Sequence, residues 1–220
     1  MRTRQIKDRR LSLGLALLLA AACPLLLPLP GGKPAHCAAA QGPRATLQRL
    51  NGEVDRLLRK KLPADSPEEK AVKEQVKTLA GQLLDYGELT KRALGEHWDK
   101  MKPAQRTEFV HTLRDVIERN YVKQLRTNLN YTVVYGDEEI DGAEAKVTTT
   151  IKLQTKGKAT DALIEYRMLK TKDSWMVYDV ITDELSLVRN YRSQFQRIIN
   201  QSGYDGLLDK MKKKAAEDKG

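Results

Sequence analysis

Asp179 is the residue of this chain with the most pointed chemical possibilities. It follows Trp175 and Val177 at alternate positions, which puts the three on one strand face by period two. A carboxylate on an apolar face is costly unless it is paired. Arg192, with Tyr191 beside it as a hydroxyl donor, supplies a partner on the segment that follows. Two roles are open: a structural Asp179–Arg192 pair that closes a strand–helix corner, which is the preferred reading, or a general base facing an apolar cavity in a cone-shaped α+β enzyme.

Other reactive groupings are sparse. There is no glycine-rich phosphate loop, G-x-S-x-G elbow or Ser-x-x-Lys. His97 and His111 stand far apart with no third ligand at metal spacing, so they read as surface or packing histidines and no metal is expected. Asp137, Glu139, Asp141 and Gly142 have the spacing of a calcium loop, but Thr148 stands where a bidentate glutamate is required. Basic clusters at Arg59, Lys60 and Lys61 and at 210–214 lack interleaved aromatics. They read as solvated faces, with docking to a membrane or an acidic partner as the lesser reading, and no nucleic-acid partner is expected.

The elements that must position these residues alternate in period. Leu47, Leu50, Val54, Leu57 and Leu58 form one helical stripe. Ser66, Pro67 and Glu69 give a capping box for a second helix with Val72, Val76, Leu79, Ala80 and Leu83 inward. A shorter helix is expected over 88–94, stopped by Gly95. Pro103 opens a long one that turns Phe109, Val110, Leu113, Val116, Ile117, Tyr121 and Leu125 to one side.

From Tyr131 the period is two. Tyr131, Val133 and Tyr135, then Val147, Thr149, Ile151 and Leu153, then Ala162, Ile164, Tyr166 and Met168, then the Trp175 strand make a four-stranded antiparallel meander. Its polar sides carry Lys146, Lys152, Glu165 and Arg167. A last helix presents Val188, Tyr191, Phe195, Ile198 and Ile199 and is expected to stop at Gly203; 212–220 read as a charged, disordered tail. The class is α+β, with N- and C-terminal helices packed on one face of the sheet.

Residues 1–40 stand apart from this fold. Arg2, Arg4, Lys7, Arg9 and Arg10 precede an apolar run over 11–29, and an alanine-rich exit follows at 35–40, the order of an export signal. Pro24 and Pro28 count against a lasting membrane helix. Cys23 ends a loose lipoprotein box, but the apolar run continues past it into Pro24, which favours soluble release. Arg9 and Arg10 match a twin-arginine signal poorly. Both cysteines, Cys23 and Cys37, fall in the signal, so the exported domain over 41–211 is expected to hold no disulfide. The signal also carries six Lys/Arg and one Asp, so five of the ten net positive charges leave with it.

The segment 174–211 has a recognisable residue order: Trp175, Val177, Asp179 and Val180, then Ser186, Leu187, Val188, Tyr191, Arg192 and Phe195. It resembles the Trp-x-Val-x-Asp-Val strand and Ser-Leu-Val-x-x-Tyr-Arg-x-x-Phe helix of the MlaC, or toluene-tolerance, family of periplasmic phospholipid-binding proteins. The likeness continues more loosely through Ala93, Leu94, Gly95 and Trp98, through Gln105, Arg106 and Phe109, and through the Tyr121 helix. It departs at Glu184 and Leu185, where the family commonly has Gly-Val.

The resemblance implies an apolar cavity between sheet and helices for phospholipid acyl chains, with the headgroup wet. Its wall is expected to include Phe109, Leu113, Ile117, Tyr121, Val147, Thr149, Ile151, Ile164, Tyr166, Trp175 and Val177. Phospholipid would be cargo, not cofactor. The implied partners are an outer-membrane lipoprotein complex and an inner-membrane ABC transporter with its lipid-binding ring protein. From periodicity alone, a filled core is the expectation, and a ligand-free structural envelope module stays open beside the enzyme and the carrier.

Overall fold

The computed structural model of the protein describes the backbone of residues 41–124, 131–155, 158–172 and 174–216, and their side chains except at 121–124, 153–155 and 158–160. The expected export signal, Leu125 and the turn residues Lys156 and Gly157 lie outside the described residues, as do the side chains of Tyr121 and Leu153.

Among the described residues five helices precede the sheet: α1 (Pro43–Leu58), α2 (Pro67–Leu83), α3 (Tyr86–Leu94), the single turn α4 (Glu96–Asp99) and α5 (Pro103–Gln124). Pro43 sits in the first turn of α1, whose fixed φ suits a helix start. The α2 cap is reciprocal with a twist. Ser66 Oγ accepts the Glu69 N–H at 3.1 Å, while the Glu69 carboxylate reaches past the cap residue to the Asp65 N–H. Helix α3 begins two residues before the expected start, because Asp85 caps it by accepting the Glu88 N–H at 2.8 Å. Gly95, at φ 57, ends it in a conformation that other residues adopt only at a cost.

The sheet is antiparallel in the order β1 (Tyr131–Asp141), β2 (Glu144–Thr155), β3 (Lys158–Lys170), β4 (Trp175–Thr182), β5 (Leu185–Ser186). The expected four-stranded meander thus gains a fifth, two-residue strand. Asp183 and Glu184 make its tight turn, both at positive φ (48 and 65), and Ile181 and Thr182 pair with Ser186 and Leu185. Such a two-residue hairpin usually advertises itself with Asn-Gly or Asp-Gly, and Asp-Glu does not.

Beyond the reach of β5, the first half of β4 is covered by the α2–α3 junction. Leu84 bridges Val177, and the Asp85 N–H donates to the Val177 carbonyl at 2.8 Å. This closes an edge that would otherwise invite strand addition.

Helix α6 (Leu187–Ala216) returns across the same sheet face. Gly203, at φ 68, breaks it as expected, but the chain resumes helical form, with Leu207, Leu208 and Met211 buried. Residues 212–216 are therefore helical rather than a frayed tail, and Lys212 Nζ lies 2.6 Å from the Glu108 carboxylate. Phe109 of α5 meets Phe195 of α6 edge-on, with centroids 5.3 Å apart, and Tyr191 stacks beside Phe195 at 5.4 Å. Helices on one sheet face and solvent on the other complete the α+β arrangement.

Candidate functional site

The inner face of the sheet is apolar across four strands. Val147 pairs with Tyr166, Thr149 with Ile164, and Ile151 with Ala162, and β1 adds Val133 and Tyr135 opposite Ile151 and Thr149. Met168 and Tyr166 in turn oppose Val177 and Val180. Phe109, Leu113 and Ile117 of α5 belong to the same apolar body, and Trp175 closes one end. Every expected wall residue with a described side chain is buried; Tyr121 lies on α5 with its side chain outside the described set.

Sequence reasoning left Val133, Tyr135 and Met168 off the wall, though their period-two positions marked them; Val180 is also on it, where strict alternation from Val177 places it on the other face. Leu47 and Leu50 of α1 and Val76 and Leu83 of α2 are buried as their stripes predict and join the same apolar body, although the expected wall did not include them.

The helices do not approach the strands equally. Helices α1, α2, α3 and α6 come close to strands along their backbones, whereas the near neighbours of α5 are α2, α3 and α6. The long helix therefore roofs the interior at one remove from the sheet. Burial pushes the Tyr135 hydroxyl up to about 12 and raises Tyr166 above its ordinary value, so both stay neutral in this apolar space.

A polar cluster ties α1 to β1. The Tyr131 hydroxyl donates to Asp55 at 2.7 Å, and Arg59 Nε donates to the other Asp55 oxygen at the same distance. Asp55 is buried on the inward face of α1, so removing either donor would leave charge poorly compensated. Its position beside Val54 was the available signal. A separate groove of roughly 510 Å³ between α1 and α2, lined by Glu53, Arg56, Leu57, Lys60, Gln75, Thr78 and Leu79, shares no residue with the apolar wall.

Asp179 is buried, but not where alternation placed it and not with the expected partner. Arg167 opposes Asp179 while Met168 opposes Val177, so Tyr178 is an extra residue in β4. A bulge of this kind reverses which face each later residue occupies. Asp179 therefore sits on the outer face, away from Val177. Its Oδ2 accepts the Ser186 hydroxyl at 2.6 Å and its Oδ1 the Val188 N–H at 3.0 Å, while Ser186 Oγ accepts the Arg189 N–H at 3.0 Å.

The Asp179–Arg192 pair is not formed. Arg192 Nε instead donates to the Arg92 carbonyl at 3.0 Å, capping the end of α3. Tyr191 turns inward against Phe195, and burial pushes its hydroxyl up to about 12. With both oxygens engaged and the interior on the other side of the sheet, Asp179 is a helix cap, and its geometry gives no support to a general base.

His97 and His111 lie on α4 and α5. Among the described residues no group of three His, Cys, Asp or Glu side chains could hold a metal ion, and no helix is long and apolar enough to cross a membrane.

The class defined by these elements is an α+β fold whose apolar sheet face is roofed by helices. The model of the MlaC protein family matches residues 48–213, and the chain belongs to that family. It is 23% identical over 128 residues to the intermembrane phospholipid transport system binding protein MlaC of Haemophilus influenzae, a match covering 57% of this chain and 60% of the relative. The match thus spans somewhat less than two thirds of that curated relative's length. The fold is also that of a phospholipid-binding protein from Ralstonia solanacearum, solved in complex with a phospholipid. That likeness has a TM-score of 0.67 at 23% identity and covers 80% of this chain and 98% of the other.

Proposed function

We propose that this protein is a soluble periplasmic carrier of phospholipid. Residues 1–40 act as its export signal and 41–211 form one lipid-binding domain. The acyl chains lie between α5 and the inner sheet face, against Phe109, Leu113, Ile117, Val147, Ile151, Ile164 and Tyr166, and the headgroup stays in water. The observation that carries this reading is the apolar inner face roofed by a helix whose backbone keeps to the other helices, in a chain of the MlaC family.

The energetics suit carriage. Each methylene moved from water to an apolar site gains about 0.8 kcal/mol. Two chains of ordinary length therefore gain on the order of 20 kcal/mol. Leaving a bilayer costs a similar amount, so exchange runs near balance with no covalent bond made or broken. Direction then comes from partners: an outer-membrane lipoprotein complex at one end of the route, and an inner-membrane ABC transporter with its lipid-binding ring protein at the other. The result is maintenance of outer-membrane lipid asymmetry.

Mass spectrometry of an organic extract from the exported protein, purified without detergent, tests the reading. Phospholipid in a fixed molar ratio to protein is expected. An extract free of lipid, from folded protein isolated out of intact cells, would sink it.

A further inference from the structure

Four arginines converge on one depression on the outer face of the sheet, opposite the apolar interior. It holds roughly 240 Å³ and is lined by Arg92 of α3, Arg167 of β3, and Arg189 and Arg192 near the start of α6, with Tyr178 and Asp179 in its wall. Each guanidinium is held by at least one neighbour. Arg92 donates to Glu88 and to Glu144, both at 2.7 Å, and lies 3.9 Å over the centre of the Tyr178 ring. Arg167 donates to Glu165 at 3.0 Å, Arg189 to the Glu184 carbonyl at 3.0 Å, and Arg192 to the Arg92 carbonyl. The one acid in the wall, Asp179, is occupied by Ser186 and Val188. Arginines pre-set in this way lose little freedom when their remaining N–H groups take a further carboxylate.

The depression runs into an apolar strip. Ile181 lines it and pairs with Glu165, which shares the outer face with Leu163; Leu163, Thr150 and Val134 form one row across β3, β2 and β1. Leu163 is 62% exposed and Val134 49%. Fixed arginines beside exposed aliphatic side chains have the composition of an energetically dominant patch in a protein–protein interface. A free phosphate would use the arginines and leave Leu163 and Val134 in water. A flat anionic membrane would meet an outer face whose cations are largely matched, Lys146 by Glu139 and Arg167 by Glu165, and so of little net charge to attract it, whereas a single side chain can be seated among the guanidinium groups.

We propose that this face docks a partner protein, which seats an acidic side chain among the four arginines and lays an aliphatic one along Leu163 and Ile181. The surface lies on the far side of the sheet from the interior, so the docking does not rest on the carrier reading.

The test is an NMR titration of isotope-labelled protein spanning 41–220 with a short peptide alternating glutamate and leucine. Inorganic phosphate and phosphatidylglycerol vesicles are titrated in parallel, and lipid content is measured on the same samples. The peptide is expected to move the Leu163, Ile181 and Arg189 amide resonances. Arg189→Glu and Leu163→Ser, both at exposed positions, are each expected to weaken it about tenfold while lipid content stays constant. Unmoved resonances, variants that bind as tightly as the parent protein, or the same shifts produced by phosphate or vesicles alone would each overturn the proposal.

Discussion

Ser186 donates its hydroxyl to Asp179 across 2.6 Å, and the second Asp179 oxygen takes the Val188 N–H at 3.0 Å. One buried carboxylate thereby joins the end of β4, the β5 hairpin and the first turn of α6, at the helix end where the dipole favours negative charge. Asp179→Ala leaves a hydroxyl and an N–H without an acceptor in a dry corner. Chemical denaturation should show a loss of about 2–3 kcal/mol. Ser186→Ala keeps the Val188 contact and should cost only about 1 kcal/mol. Wild-type stability in Asp179→Ala would contradict the capping role.

Glu184 occupies φ 65 directly after Asp183 at φ 48. A left-handed backbone costs a residue with a Cβ roughly 1–2 kcal/mol, and only the Glu184 carbonyl, which any residue supplies, is used by Arg189. Glu184→Gly should therefore stabilise the protein by about 1 kcal/mol, raising Tm by about 2–4 °C. Calorimetry decides this, and a lower Tm would refute it.

Much of this architecture is legible in the sequence. The apolar stripes of α1, α2, α5 and α6 announce buried faces at a period that only a helix satisfies, and Asp141 and Gly142 mark a strand reversal. What stayed hidden was local. The Tyr178 bulge leaves alternation intact on either side of itself, so letters alone cannot show that Asp179 has changed face. The partners of Asp179 are a serine and a main-chain N–H, and a search for opposite charges looks past both to Arg192. The Asp183–Glu184 turn is strained, so it lacks the glycine that would have flagged β5. The arginine groove draws on α3, β3 and α6, segments far apart in the chain whose charges look like ordinary solvated faces one at a time.

Glu144 couples that groove to pH. Its hydrogen bond from Arg92 holds its carboxyl below the ordinary value of 4.5. A carboxyl depressed on folding stabilises the protein above its unfolded value, and the contribution fades as pH falls through the lower folded value. Glu144→Gln should leave a shallower fall of Tm on the acid side, with a small effect at neutral pH because the pair is solvent-screened. Parallel melts of parent and variant across the acid range measure it; superimposable acid limbs would exclude the coupling.

Leu113 and Val147 are both fully buried, one on the roofing helix and the other on the inner sheet face. A carboxylate at either position charges the space in which acyl chains are proposed to lie, and an ionised group there strongly disfavours hydrocarbon nearby. Leu113→Asp and Val147→Asp should each lower phospholipid per folded molecule several-fold. Lys146→Ala, which removes only an exposed pair with Glu139, should leave it unchanged. Circular dichroism on the same preparations separates an emptied interior from an unfolded chain. Since Leu→Ala-scale core losses already reach about 2–5 kcal/mol, Leu113→Ala serves as a milder second variant. Its smaller side chain keeps the space apolar, so it should retain lipid where the aspartate does not. Equal lipid content in folded Leu113→Asp and Leu113→Ala would mean that the chains lie elsewhere.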